Sequence, residues 1–338
     1  MGKEKIRSRF TNTTGPLYVM LDITTACNFK CLHCYNNSGK KDTDEMTDEE
    51  ITDVVKQIAD MHPESVCLCG GETMLRSNIY ELIKILKPNV GAVNMVSNGS
   101  LLNKNNILKL KEAGINAIQI SVDGINAMQH DTFRQYVGSF DKAINAIKMI
   151  HVMGIEVYVS FVPNKLNHRS VIDYFELMSD LGVNTVRIMP LIPMGRGSLI
   201  EKLMLEPNEY AELQLAIELN KVKYSAQHMG IEWGDPLDHM YRLPNNESYG
   251  FKNMQYEIKA NGNITISAYL PIVVGNVRKH SLKEYWENGY DNIWYTEDFK
   301  KYRDQIHTIY DINKLWANLG NESNYYIDIM HDLKAGVN

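Results

Sequence analysis

Residues 17–35 read LYVMLDITTACNFKCLHCY. Leu17 to Ile23 is a short apolar run of the kind that forms a buried strand. The loop leaving it carries Cys27, Cys31 and Cys34 in the spacing C-x3-C-x2-C. Thiolates select soft metals and iron–sulfur clusters. Three ligands rather than four leave one position open, as a catalytic metal site does and a structural site does not. Two other readings stand beside this one. A structural zinc site would take a fourth ligand such as His33, and three core cysteines could share a loop by coincidence.

Working outward, short apolar runs alternate with longer amphipathic stretches. Strands are expected at Ser65 to Cys69, Ala92 to Val96, Ala117 to Val122, Glu156 to Val162 and Thr185 to Met189. Helices are expected at Thr47 to Met61, Ser77 to Leu86, Asn103 to Ala113, Phe140 to Met153, Ser170 to Leu181 and Pro207 to His228. Thr47 and Glu50 have the spacing of a capping box. Gly91, Gly114, Gly154 and Gly182 follow helices where C-cap glycines belong. Strict strand–helix alternation implies parallel strands joined by right-handed crossovers. A six-unit open barrel and a doubly wound sheet both fit, and both put the site at the C-terminal strand ends. After about residue 230 the rhythm changes. Tyr256 to Ser267 reads as a hairpin turning at Asn261-Gly262. Short helices are expected at Leu282 to Asn288, Asp298 to Gln305 and Tyr325 to Lys334.

The chain has 338 residues, 44% of them hydrophobic, with a formal net charge of -6. That length suits one large α/β domain and a smaller one. Scattered acidic residues and no long basic block disfavour nucleic acid as a partner. The N-terminus has no apolar h-region and no run is long enough to span a bilayer, so a cytoplasmic protein away from the membrane is expected. All five cysteines lie within residues 27–69, an odd count that points to metal chemistry rather than disulfides.

The motif CNFKCLHCY resembles that of the radical S-adenosylmethionine (SAM) superfamily. Gly70, Gly71 and Glu72 after the second strand resemble its GGE motif, Ser97-Asn98-Gly99 its SNG turn, and SVDG (121–124) with HDTFR (130–134) the pattern of its peptide-modifying branch. The resemblance covers residues 17–200 strongly. It implies an α/β fold built as a partial (β/α)6 TIM-like barrel. It implies one [4Fe–4S] cluster on Cys27, Cys31 and Cys34, whose open iron takes the amino and carboxylate groups of SAM. His33 would lie near adenine, Glu72 near the ammonium, Asn98 near the cofactor, Ser121 and Arg134 near ribose and carboxylate, and the backbone of Met189 near adenine. Residues 255–290 resemble, more weakly, a C-terminal SPASM or twitch domain. Its auxiliary-cluster cysteines are absent, and Ser267 stands where one is expected. The expected layout is an N-terminal extension (1–16), the partial barrel (17–229) and a degenerate SPASM/twitch-like α+β extension (230–338) without clusters of its own.

The chemistry implied is reductive cleavage of SAM to a 5′-deoxyadenosyl radical, which abstracts hydrogen from substrate. Without auxiliary clusters, redox-neutral outcomes are favoured: epimerisation, fragmentation, or a cross-link that returns its electron. Peptide modification, as in the biosynthesis of ribosomally made peptides, is the first reading. A small metabolite such as a sugar or cofactor precursor is the second, and a non-enzymatic iron–sulfur or zinc protein the third. An external one-electron donor such as flavodoxin or ferredoxin is expected. The 16 N-terminal residues are too few for a peptide-recognition domain, so leader binding falls to a separate protein or to the groove. Cys69, just before Gly70, is a candidate hydrogen donor. Alternation puts it on one strand face with Cys67, which favours the reading of two small buried hydrophobes.

Overall fold

The computed structural model describes residues 15–234, 253–270, 272–318, 325–326 and 328–330. Six strands alternate with helices: β1 (Tyr18–Thr24), α1 (Asp48–Asp60), β2 (Ser65–Gly70), α2 (Ile79–Leu86), β3 (Ala92–Ser97), α3 (Lys104–Ala113), β4 (Ala117–Ser121), α4 (Ala127–Arg134), α5 (Ser139–Val152), β5 (Glu156–Phe161), α6 (Val171–Asp180), β6 (Thr185–Ile188) and α7 (Pro207–Ser225). The six pair in parallel in chain order, as an unclosed barrel wall. A seventh strand missing from the sequence reading, β7 (Gly230–Trp233), pairs in parallel with β6. The expected boundary at 229/230 falls just ahead of it.

The chain then returns to the opposite side. β8 (Gln255–Ile258) pairs in parallel with β1, β9 (Asn263–Thr265) turns back against it, and β10 (Ile272–Asn276) follows antiparallel. Gly262 supplies the turn with φ +82°. α8 (Leu282–Glu287), α9 (Glu297–Arg303) and α10 (Ile309–Asn318) cover this wing. Tyr325–Tyr326, expected at the head of a helix, instead forms β11, a two-residue strand parallel to β10. Ile329 and Met330 are helical, and residues 327 and 331–334 of that expected helix lie outside the described residues.

Local chemistry sets the ends. The Thr47 and Glu50 side chains cap α1 reciprocally, at 3.2 and 2.8 Å. Gly114 closes α3 at φ +101°. Gly91 is not a C-cap: α2 ends at Lys87. Gly91 sits where a Cβ would press on the Glu64 carbonyl. Leu21 and Ile23 are fully buried against the helices. Each contributes about 1.5–3 kcal/mol on the usual transfer scale. Tyr18 and Met20 line the interior instead. No described helix is long and apolar enough to cross a membrane.

Candidate active site

A cavity of about 550 Å3 runs along the inner wall from β1 to β7. Cys27, Cys31 and Cys34 line it together with His33, Cys69, Gly70, Gly71, Asn98, Ser121, Arg134 and Met189. All the residues expected at the site therefore meet there except Glu72.

The cysteine loop is tied down from several elements. Glu45, buried at 7% exposure, accepts from Thr24 Oγ1, Thr25 N and Thr25 Oγ1 at 2.8–3.1 Å. Arg76 is buried beside it, 3.2 Å from Glu45, and also donates to the Ile23, Met46 and Thr47 carbonyls. Arg196, from the stretch after β6, donates to Cys31 O and Ser38 O at 2.8 Å each. Sequence reasoning missed all three. Their partners are up to 165 residues away, and no local pattern announces such contacts.

Each cysteine sulfur accepts a hydrogen bond: Cys27 from Phe29 N (3.4 Å), Cys34 from Ser38 N (3.4 Å) and Cys31 from Arg134 Nη1 (3.7 Å). Such donors stabilise thiolate charge and tune cluster potential. Burial pushes the free Cys27 thiol up to about 11, against the Phe29 N–H, and pushes Cys31 up as well. Loading a cluster therefore displaces protons. Among the described residues, no three His, Cys, Asp or Glu side chains converge to hold a single metal ion. A cubane takes its thiolates at separate corners. Three thiols lining one cavity, each with a donor at its sulfur, are a donor set that suits such a cluster.

Around the thiols stands a buried ionic frame. Arg134 Nε donates to Asp123 Oδ2 at 2.6 Å, and Asp123 Oδ1 accepts from Val162 N at 2.9 Å. Burial opposes the Arg134 charge, but Asp123 and Cys31 outweigh it and raise its pKa. His33 stacks on Phe133, with centroids 4.2 Å apart and planes 8° apart. Burial, then Arg134 and Arg196, hold its pKa well below the ordinary value, so the ring is neutral. His33 Nδ1 is buried with no hydrogen-bond partner among the described residues. It is a polar atom left over at the cavity wall.

Gly70 has φ +123°, and a Cβ on it would run into Thr24 O. A Cβ on Gly71 would run into Ala26 O. Only glycines let the end of β2 lie this close to the cysteine loop. Asn98 Nδ2 reaches Asn28 Oδ1 at 2.9 Å and lies 4.0 Å from Cys27 Sγ. Ser121 Oγ accepts from Ser160 Oγ at 3.4 Å.

Glu72 departs from expectation. It is fully buried behind the wall, accepting from Ser97 Oγ (2.8 Å), Asn98 N (2.7 Å) and Met74 N (3.2 Å). Burial raises its pKa, and these hydrogen bonds offset part of the rise. In this geometry it braces the Asn98 turn against β2.

Residues 21–181 match the sequence profile of the Radical SAM superfamily. An AdoMet-dependent heme synthase of Methanosarcina barkeri is 26% identical over 311 residues, 86% of each chain. A probable GTP 3′,8-cyclase of Saccharolobus islandicus is 33% identical over 207 residues, 60% of this chain and 65% of that one. The chain thus spans about two thirds of the cyclase's length. Among solved structures, Streptococcus suis SuiB bound to S-adenosylmethionine superposes with a TM-score of 0.69 at 13% identity, covering 96% of this chain and 79% of that one. The native anSMEcpe structure with bound AdoMet gives 0.65 at 16% identity, covering 95% of both chains. At such identities these likenesses speak for the fold alone.

Proposed function

We propose that this chain, a radical SAM enzyme using a [4Fe–4S] cluster and S-adenosylmethionine, modifies a peptide. When bound, the cluster and SAM supply one-electron cleavage to a 5′-deoxyadenosyl radical. We assign the cluster to Cys27, Cys31 and Cys34. Arg134, fixed by Asp123, holds positive charge at Cys31 and toward the cofactor carboxylate. Gly70 and Gly71 admit the cofactor beside the loop. Neutral His33, on its Phe133 platform, and the Met189 backbone border the adenine, with Asn98 and Ser121 at the sugar side. The β8–β11 wing, as a SPASM/twitch-like unit, closes the β1 side of the cavity and excludes water.

The observation that carries the peptide reading is β7. Among the described strands it pairs only with β6, and Glu232, Trp233 and Gly234 at its end line the cavity. An edge strand beside the reaction cavity offers backbone N–H and C=O groups on which an extended peptide can add a strand. A second reading, a small metabolite, is favoured by the relatives named a heme synthase and a GTP cyclase. Either reading requires an external one-electron donor of the flavodoxin or ferredoxin class. The peptide reading leaves leader recognition to a separate protein or to the β7 edge.

Co-incubation of reduced, reconstituted enzyme with precursor peptides, with GTP and with porphyrin precursors separates the readings by mass spectrometry. The peptide reading expects deoxyadenosine release to rise, and a covalent or stereochemical change to appear, with a peptide only. Stimulation by a metabolite and by no peptide overturns it.

A further inference from the structure

Two cysteines that the cluster does not use stand side by side. On β2 the pleat turns Cys67 and Cys69 to one face, and that face is the cavity wall. The residues between and before them, Leu68 and Val66, are the ones packed into the core. Cys69 Sγ lies 3.4 Å from Cys67 Sγ and 3.6 Å from Cys67 O. Both cysteines are free thiols. The Cys69 S–H has two acceptors in reach, the Cys67 carbonyl and, through a sulfur–sulfur hydrogen bond, the Cys67 sulfur. That hydrogen bond draws the Cys67 thiol down, with help from Arg187 against burial, and burial adds to it in holding Cys69 well above its ordinary value. Two thiol sulfurs thus stand within contact of each other on the cavity wall. Cys69 is followed at once by Gly70 and Gly71, whose backbones lie against the start of the cluster loop.

We propose that Cys67 and Cys69 form a two-thiol hydrogen-atom donor that quenches a carbon radical formed in this cavity. The inference rests on the radical-enzyme assignment above. The Cys69 S–H bond breaks homolytically and a C–H bond forms at the substrate carbon. The Cys69 thiyl then bonds to the Cys67 sulfur, whose proton leaves to solvent, as a disulfide radical anion. That species passes one electron to an oxidised iron–sulfur centre and becomes a Cys67–Cys69 disulfide. An external dithiol reductant returns two electrons and two protons. The substrate carbon keeps its oxidation state, so the pair suits inversion of a centre or another redox-neutral change. Cys67 is what distinguishes this pair from a lone thiol: it gives the thiyl an exit within the wall.

The test needs no substrate. The reconstituted full-length chain is given SAM and limiting dithionite anaerobically in D2O, and the deoxyadenosine formed is analysed by mass spectrometry. Thiols carry deuterium under these conditions, whereas carbon-bound hydrogens do not. The wild-type chain is expected to give mainly singly deuterated deoxyadenosine, with Cys67 and Cys69 becoming resistant to alkylation as one disulfide per deoxyadenosine. Cys69→Ala lowers the deuterated fraction several-fold, and Cys69→Ser serves in its place where the alanine variant does not keep its visible cluster absorbance. Cys67→Ser keeps deuterium transfer and forms no disulfide. Deoxyadenosine without deuterium, or with equal deuterium in both Cys69 variants, overturns the proposal and leaves the radical assignment standing. Failure of a cluster-loaded chain to make any deoxyadenosine overturns the assignment, and this proposal with it.

Discussion

The two wings that meet at β1 share one sheet and are spent differently. From β1 to β7 the strands turn polar or reactive side chains inward: Cys67, Cys69, Asn94, Gln119, Ser121, Tyr158, Ser160 and Arg187 all line the cavity. An interior like that leaves room for ligand where a packed barrel would stack branched apolar layers. From β8 to β11 the space is filled with aromatic rings. Tyr256 stacks on Tyr290 at 4.2 Å and packs against Trp286 at 5.6 Å. Their hydroxyls are satisfied in place, Tyr256 by Leu282 O at 2.7 Å and Tyr290 by Thr265 O at 2.8 Å. The difference teaches that one wing gives up packing to make a site, and the other supplies the packing that holds it.

The largest effect that sharpens this division is Cys31→Ala. It should abolish the visible cluster absorbance and reduce deoxyadenosine formation to background, while the urea midpoint of the metal-free chain stays near that of metal-free wild type. A large drop in that midpoint would break the division. The converse is Tyr256→Ala. Removing a fully buried aromatic ring costs about 3–5 kcal/mol. Its urea midpoint should fall accordingly, while the protein still folded takes up a full cluster. Loss of cluster without loss of stability would show that the aromatic wing does chemistry after all.

The smallest effect is a pH dependence of the reactive wing. His130 is fully buried, and its Nδ1 accepts from Asp123 N at 3.0 Å. Burial, then Arg134, lower its pKa to about 4 from 6.5. Between these values the unfolded chain binds the proton and the native one does not, so stability falls as pH drops from 6.5 toward 4, by at most about 1.4 kcal/mol per pH unit. His130→Gln should flatten that slope between pH 6.5 and 5, above the window where carboxylates titrate. An unchanged slope in urea titrations would contradict the account.

What the sequence disclosed follows from how local each signal is. The thiol triplet, the Thr47–Glu50 cap and the Asn261-Gly262 turn each lie within a few residues, so spacing alone reveals them. Alternation placed Cys67 and Cys69 on one face but could not say which face held the cavity. Arg76 binds the end of β1 from 53 residues away and Arg196 the cysteine loop from 165, distances over which only the fold makes neighbours. The partners of Glu72 were not legible because a motif fixes a residue's position along the chain and leaves open which way the carboxylate turns.

The central claim is that the three thiols of the β1 loop hold a cluster that can cleave a sulfonium cofactor. Anaerobic reconstitution, reduction with dithionite and addition of S-adenosylmethionine test it directly. The account predicts 5′-deoxyadenosine and methionine in equal amounts from the wild-type chain. A chain that carries a full cubane and yields neither product would contradict it.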